Sequence, residues 1–232
     1  MNNNLLEFDY DLPASLIALY PISPRSSSKL LVHSDGKIID TQFSSLFKYL
    51  QPNDRLVFND TKVLPAKLFG SRKQRSEQGL ALVKIEILLI EKISLNQWEV
   101  FCKPLKRLRV SDTLFFSNSL SGEVLRKTNN GCVLEFSKSG SRLENEIARL
   151  GELPLPPYIA KKRNYRESDK TNYQSIFAKN PGAIASPTAS LHFDQVLIDR
   201  LKEIGVSSSF ITLHVGAGTF LPIKSEVISE HK

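Results

Sequence analysis

The sequence predicts a mixed α/β domain interrupted by an inserted, small antiparallel β-barrel. Three observations lead there. Near the end of the chain, strand, helix and strand signals follow one another, the order expected of an α/β layer. From about Pro65 onward, short strand-like runs recur at regular intervals with turn residues between them, the pattern of a small barrel or sandwich. A proline cluster, Leu153-Pro-Leu-Pro-Pro157, then closes that stretch. The expected organisation is residues 1–64 plus 153–232 as a discontinuous α/β domain, with residues 65–152 inserted as the barrel.

The elements can be justified in chain order. Asp11-Leu-Pro13 and Tyr20-Pro21-Ile-Ser-Pro24 fix extended bends, because each proline disfavours the helical conformation in the residue before it. Leu30-Leu-Val32 reads as a strand, and Asp35-Gly36 as the turn that pairs it with Lys37-Ile-Ile39. Phe43 to Leu50 suits a short helix stopped by Pro52, and Arg55-Leu-Val-Phe58 is a buried strand running into Asn59-Asp-Thr61. The barrel strands are expected at Leu82–Ile90, Gln97–Phe101, Thr113–Phe116, Gly122–Arg126 and Gly131–Phe136. Ser141 and Glu144 have the spacing of a capping box, opening a helix with Leu143, Ile147 and Leu150 on one face and Gly151 at its end. Tyr158 to Asn172 is polar and basic and predicts a mobile loop. Asp194 is placed to cap a helix carrying Val196, Leu197, Leu201 and Ile204, ended by Gly205. Phe210-Ile-Thr-Leu-His214 is the following strand, and Val215-Gly-Ala-Gly-Thr219 a tight loop.

Composition narrows the function classes. The 232 residues are 41% hydrophobic and 24% charged, ordinary for a globular protein, and no run reaches the ~18 apolar residues of a membrane span. The N-terminus lacks the apolar core of a signal peptide, so a cytoplasmic location is expected. The formal charge of +7 favours approach to polyanions. Cys102 and Cys132 form no CxxC pair and are expected to be small buried hydrophobes in a reducing compartment. No HExxH, GxSxG or Walker A pattern occurs, and no metal is expected.

Two segments are candidates for chemistry: Gly182-Ala-Ile-Ala-Ser-Pro-Thr-Ala-Ser-Leu-His-Phe193 and Leu213-His-Val-Gly-Ala-Gly-Thr-Phe220. Both are rich in small residues, which let a backbone approach a ligand closely, and each carries one histidine suited to proton transfer near neutral pH. A tightly packed strand-to-loop crossing would explain the small residues equally well. Gly216-Ala-Gly218 lacks the third glycine of a dinucleotide fingerprint, with Leu221 in its place. Basic runs occur at Arg72–Arg75, Lys103–Arg109 and Lys161–Arg166. Tyr158, Tyr165 and Tyr173 interleave the last, making Lys161, Lys162, Arg163, Tyr165 and Arg166 the strongest RNA-binding set.

Taken together, these blocks resemble one family. Phe8-Asp-Tyr-Asp-Leu-Pro13, Ile17-Ala-Leu-Tyr-Pro21, Arg25, Leu56 to Gly70, Leu153 to Ile159, Tyr173-Gln174, Gly182 to Phe193, Thr212 to Phe220 and Glu230-His-Lys232 are similar, in order, to the S-adenosylmethionine:tRNA ribosyltransferase-isomerases of queuosine biosynthesis. The resemblance implies an α/β domain with an inserted barrel. It also implies transfer and isomerisation of the ribosyl group of S-adenosylmethionine onto 7-aminomethyl-7-deazaguanine at a tRNA wobble position, giving epoxyqueuosine and releasing adenine and methionine. S-adenosylmethionine is then a ribosyl-donor co-substrate, and the tRNA the macromolecular partner of a monomeric enzyme. Such chemistry needs a base for the sugar C5′ proton, a hydrogen bond or proton for departing adenine and a neutral attacking amine.

On the matching motifs, His192 or His214 is expected to move protons and Asp60 to position a substrate amine or hydroxyl. Arg25, Asn59, Thr61, Pro187, Thr188, Gly216, Gly218 and Thr219 are expected to hold substrate. The family carries alanine where Ser186 stands and glycine where Ser190 stands. Its members also continue past the equivalent of Lys232, so the resemblance implies a chain lacking their C-terminal portion, which a separately encoded partner would have to supply. The alternatives are a catalytically impaired relict that at most binds tRNA, and a β-barrel RNA-binding module with no S-adenosylmethionine site.

Overall fold

The computed structural model describes residues 4–76, 79–220, 225 and 227. After an irregular start with three 3-10 turns, β1 (Lys29–Ser34) and β2 (Lys37–Gln42) form the expected antiparallel hairpin. A 3-10 helix over Phe43–Tyr49 replaces the short helix expected there. Next come β3 (Arg55–Asn59) and β4 (Thr61–Val63), separated only by Asp60.

The barrel comprises β5 (Lys67–Ser76), β6 (Gly79–Lys92), β7 (Gln97–Lys103), β8 (Thr113–Phe115), β9 (Ser121–Lys127) and β10 (Gly131–Phe136), all antiparallel and closed in the order β10-β7-β6-β5-β8-β9. Closure gives every barrel strand a neighbour on both sides, although β5 pairs with β8 only at Ser71 and Phe115. Alternation sends Leu68, Ile85, Ile87, Leu89, Val100, Val124 and Leu134 inward, where all are fully buried. Each such side chain contributes about 1.5–3 kcal/mol of transfer free energy. Helix α1 (Gly140–Leu150) adds Leu143 and Ile147 to the same core. Cys102 and Cys132 meet across β7 and β10, buried, with Sγ atoms 3.2 Å apart. The hydrogen bond from Cys132 and burial push the Cys102 thiol up, out of the range of a reactive thiolate.

The remainder of the chain builds the α/β part: α2 (Pro157–Ala160), α3 (Asp169–Asn172), β11 (Asn180–Ala183), α4 (Gln195–Glu203) and β12 (Ser207–Ile211). Here β12 runs parallel to β3, and β11 parallel to β4. Phe58 anchors the first pair, stacked on Phe177 at 4.1 Å and edge-on to Phe193 at 5.0 Å, with Leu197, Ile198 and Leu201 of α4 below. Val63, Leu153, Leu155, Ile159, Tyr173 and Ala183 form a separate cluster around the second pair.

Several local expectations change. Helix α1 is capped at Ser139, whose carbonyl accepts from Leu143 N–H; Ser141 lies inside the helix, and Glu144 reaches Lys92 at 2.7 Å instead of closing a capping box. Gly151 does follow the last turn, but with φ −82° it makes no left-handed cap. Glycine is required because a Cβ there would lie 1.9 Å from the Pro65 carbonyl oxygen. Asp194 caps α4 as expected, accepting from Leu197 N–H at 3.0 Å, but Val196 is 79% exposed and belongs to no core. The strand expected over Phe210–His214 ends at Ile211, and residues Thr212 to His214 are held by side chains.

The stretch from Tyr158 to Asn172 is not an open loop. Its two short helices are tied by Arg163, which donates to both Asp169 oxygens at 2.7 and 2.8 Å and to the Leu19 carbonyl at 2.8 Å. The Arg163 and Asp169 side chains are 7% and 2% exposed. Burial alone would raise the Asp169 carboxyl, but donation from Arg163 and from Arg166 N–H outweighs it and holds the group below its ordinary value.

Candidate functional site

The line formed by β3 and β4 changes neighbour at Asp60. Asn59 is registered with Ile211 of β12, and Thr61 with Asn180 of β11. Asp60 joins both sides: its N–H donates to the Ile211 carbonyl at 3.0 Å, and its carbonyl accepts from Lys179 and Asn180 N–H at 2.8 and 3.1 Å. The chain leaving β12 therefore has no regular ladder to follow. Three consecutive polar side chains replace it.

Asn59 acts as a surrogate backbone: Nδ2 donates to the Leu213 carbonyl at 2.8 Å, and Oδ1 accepts from Leu213 N–H at 3.1 Å. Asp60 accepts from the Thr212 hydroxyl at 2.6 Å and from Asn180 Nδ2 at 3.0 Å. The Thr61 hydroxyl lies 2.7 Å from Nδ1 of His214. Asn59-Asp60-Thr61 thus hold Thr212-Leu213-His214 one residue for one residue. The Thr212 hydroxyl, opposed by desolvation and aided by Asn180 and the nearby Lys179 charge, keeps the Asp60 carboxyl below its usual range. It is an ionised acceptor, and among the described side chains each oxygen takes one donor, which leaves the carboxylate further acceptor capacity.

This constellation lies at the carboxyl ends of β3 and β12, where α/β sheets bind ligands. His214 is exposed, and its ring rests on Gly182. His192 is also exposed; its Nδ1 lies 2.9 Å from the Ser28 hydroxyl, and its ring is 5.3 Å from that of Phe43. Pro187 and Thr188 begin the 3-10 helix that ends at His192. A Cβ added at Gly216 or Gly218 would meet nothing within 4 Å among the described residues, so no packing there demands glycine. The Thr219 hydroxyl turns back to the Gly216 carbonyl at 3.4 Å.

Other candidates have structural partners. Arg25 donates to the Gln174 and Thr171 carbonyls at 2.7 and 2.8 Å, binding the early chain to α3. Arg163 faces inward to Asp169, which removes its guanidinium from the surface. Lys161, Lys162 and Arg166 are exposed, and Tyr20 packs 4.5 Å from the Arg166 guanidinium. Arg72 pairs with Asp112 at 2.8 Å, while the Arg75 side chain, Leu221 and Glu230–Lys232 lie outside the described residues. Asn180 and Asp169 stand outside the segments the sequence singles out, whereas Gly182 opens one candidate segment and Thr212 one family block, neither with a role of its own.

Cavities of about 440 and 370 Å³ lie where β5, β6 and β7 face residues 153–165. Both include Lys67 and Glu86, which are paired at 3.3 Å. Desolvation raises the nearby Glu152 carboxyl. Among the described residues, no group of three or more His, Cys, Asp or Glu side chains is placed to hold a metal, and no helix is long and apolar enough to cross a membrane.

The family model described as a queuosine biosynthesis protein matches residues 5–232. The chain belongs to the queuosine biosynthesis protein family. Two relatives, from Ruegeria sp. and Maricaulis maris, are named S-adenosylmethionine:tRNA ribosyltransferase-isomerase; they are 47% and 44% identical over 97% of this chain. The chain spans 65% of the length of each. The solved S-adenosylmethionine tRNA ribosyltransferase of Thermotoga maritima is 30% identical, over 90% of this chain and 58% of that one, with a TM-score of 0.35. Within the queuosine family, the clasp at residues 59–61 gives a physical role to the polar end of the conspicuous Leu56 to Gly70 block.

Proposed function

We propose that the chain is an S-adenosylmethionine:tRNA ribosyltransferase-isomerase. In this reading it moves the ribosyl group onto 7-aminomethyl-7-deazaguanine at the tRNA wobble position, forms epoxyqueuosine, and releases adenine and methionine. The carrying observation is the identity of 47% to a relative bearing that enzyme name, over 97% of this chain. Work on tRNA fits a cytoplasmic, monomeric enzyme. The closed barrel and the Lys67–Glu152 bridge at its foot support treating residues 65–152 as the inserted unit and residues 1–64 plus 153–232 as the discontinuous remainder, with Ile184 and Ala217 of that remainder packing into the barrel-side core.

Asp60 serves as the fixed carboxylate that accepts a hydrogen bond from a substrate amine or hydroxyl through its further acceptor capacity. His214 and His192 face solvent at the ends of elements and act on the reacting sugar and base. Thr188 and the Gly216–Thr219 loop offer a hydroxyl and unhindered backbone to the donor. Asn59 and Thr61 support this site through the clasp, and Arg25 through its anchorage of α3. Lys161, Lys162 and Arg166 approach the tRNA backbone, with Tyr165 beside them.

The test incubates the folded chain with S-adenosylmethionine labelled in the ribose and tRNA bearing the aminomethyl-deazaguanine base. Adenine release with ribosyl label in the tRNA is the expected result. A folded sample that binds tRNA without label transfer overturns the transferase reading in favour of binding alone.

A further inference from the structure

Thr61 is completely buried, and among the described residues its hydroxyl has one hydrogen-bond partner, Nδ1 of His214 at 2.7 Å. A hydroxyl has one hydrogen to give and two lone pairs to fill. If Nδ1 carried a hydrogen, the hydroxyl would have to accept it, and its own hydrogen would be left buried without a partner. A buried orphan donor is costlier than an unfilled oxygen lone pair. The hydroxyl therefore donates, Nδ1 accepts, and the hydrogen of the neutral imidazole resides on Nε2.

The ring's position is set from a second side. A Cβ on Gly182 would lie 2.6 Å from Cε1 and Nε2 and 2.7 Å from Nδ1, so the imidazole lies across the bare Cα. His214 is exposed, and among the described residues Nε2 has no partner. The clasp of Asn59 on Leu213 and of Asp60 on Thr212 holds the backbone that carries the ring.

We propose that Thr61 and Gly182 are positioning residues that fix the His214 imidazole in the tautomer presenting Nε2–H, a fixed hydrogen-bond donor to an electron-rich substrate atom and not a general base. Resting on the transferase reading, the acceptor is a ring nitrogen of the departing adenine, which gathers negative charge as the glycosidic bond breaks. The donor stabilises that charge through a hydrogen bond without giving up its proton; the adenine leaves with the glycosidic electron pair and takes its proton from water. A neutral N–H suits this role because it needs no reorganisation as charge develops. The C5′ proton must then go to another base.

The primary measurement is independent of turnover. Long-range proton–nitrogen correlation spectra of the ¹⁵N-labelled chain at about pH 8, where an ordinary imidazole is neutral, report which ring nitrogen of His214 is protonated. One tautomer, with Nε2 protonated and Nδ1 accepting, is expected. Protonated Nδ1, or two tautomers in comparable amounts, would overturn the proposal. Thr61→Val should mix the tautomers and Thr61→Ser restore one. If the valine variant does not fold, Thr61→Ala serves instead, because it also removes the hydroxyl and should mix the tautomers in the same way; Gly182 is left intact, since at φ +155° any side chain would strain the backbone.

In single turnover, His214→Ala should lose about 10²–10³-fold, the usual effect of removing one such donor. Thr61→Val should lose less, with KM unchanged, and Thr61→Ser should recover the loss. An unchanged rate in His214→Ala refutes the donor role. A parent chain that is inactive while showing the expected tautomer refutes the transferase reading and leaves the positioning intact.

Discussion

Replacing Asp169 by alanine should be among the most damaging single changes in the α/β part. The substitution removes two short bonds to Arg163 and a third, at 2.8 Å, from Arg166 N–H. It also strands a guanidinium that is only 7% exposed. Breaking such a pair from one side costs about 3–5 kcal/mol, because the remaining charge is buried without compensation. Arg163 keeps the Leu19 and Asn164 carbonyls and the Tyr20 ring, which places the expected loss near the lower end, about 3 kcal/mol. For a chain of this size that lowers Tm by roughly 6–12 °C. Urea and thermal unfolding would measure it. A double change, Arg163→Met with Asp169→Leu, should recover most of the loss, since apolar replacements of a buried pair are often neutral or better. Were Asp169→Ala within about 1 kcal/mol of the parent, the pair would not be what orders residues 157–172.

Other outcomes follow from the same geometry. On the proposed tRNA-binding reading, Lys161→Ala and Lys162→Ala, both exposed, should leave stability unchanged while each reduces the salt dependence of tRNA affinity by about one phosphate contact; a slope equal to the parent's would overturn their proposed place in the interface. Ser186→Ala should stabilise the fold by about 1 kcal/mol, because the Ser186 hydroxyl is buried without a hydrogen-bond partner among the described residues; equilibrium unfolding decides, and a loss of stability would show that the hydroxyl is satisfied. The Glu146 carboxyl is pulled down to about 2, chiefly by Lys138, then by Arg149 and Ser119. Its folded value is below its unfolded one, so its stabilisation is complete above the ordinary glutamate range and fades as pH falls toward about 2. Glu146→Gln should therefore be less stable than the parent at neutral pH and converge on it in acid. A difference that persists unchanged at the lowest pH would contradict the assignment.

Much of this protein is determined by short-range pattern. Alternation in Leu82–Ile90 and Gln97–Phe101 compels strands with one buried face, and five barrel strands are legible this way; the sixth, β5 (Lys67–Ser76), is read only from the structure, where it pairs along residues 80–88 of β6 and helps close the barrel. Asp35-Gly36 sets the hairpin, and Asp194 starts α4 where a carboxylate meets free N–H groups. The ordered family blocks are equally legible, because they are contiguous in sequence.

Tertiary structure alone decided what those residues face. Nothing local says that Arg163 turns inward to Asp169, since a basic loop with buried and exposed cations has the same composition as one that is wholly solvated. Nothing local says that Gly151 answers the Pro65 carbonyl, about 86 positions earlier in the chain. Asn59, Asp60 and Thr61 are conspicuous as polar residues after an apolar strand, and substrate contact is the natural reading of them. Their use in holding Thr212, Leu213 and His214 depends on β12 returning beside β3 from about 150 residues away. A side chain's hydrogen-bond partner is set by which strands become neighbours, and that is a property of the assembled sheet and not of the segment that carries the side chain.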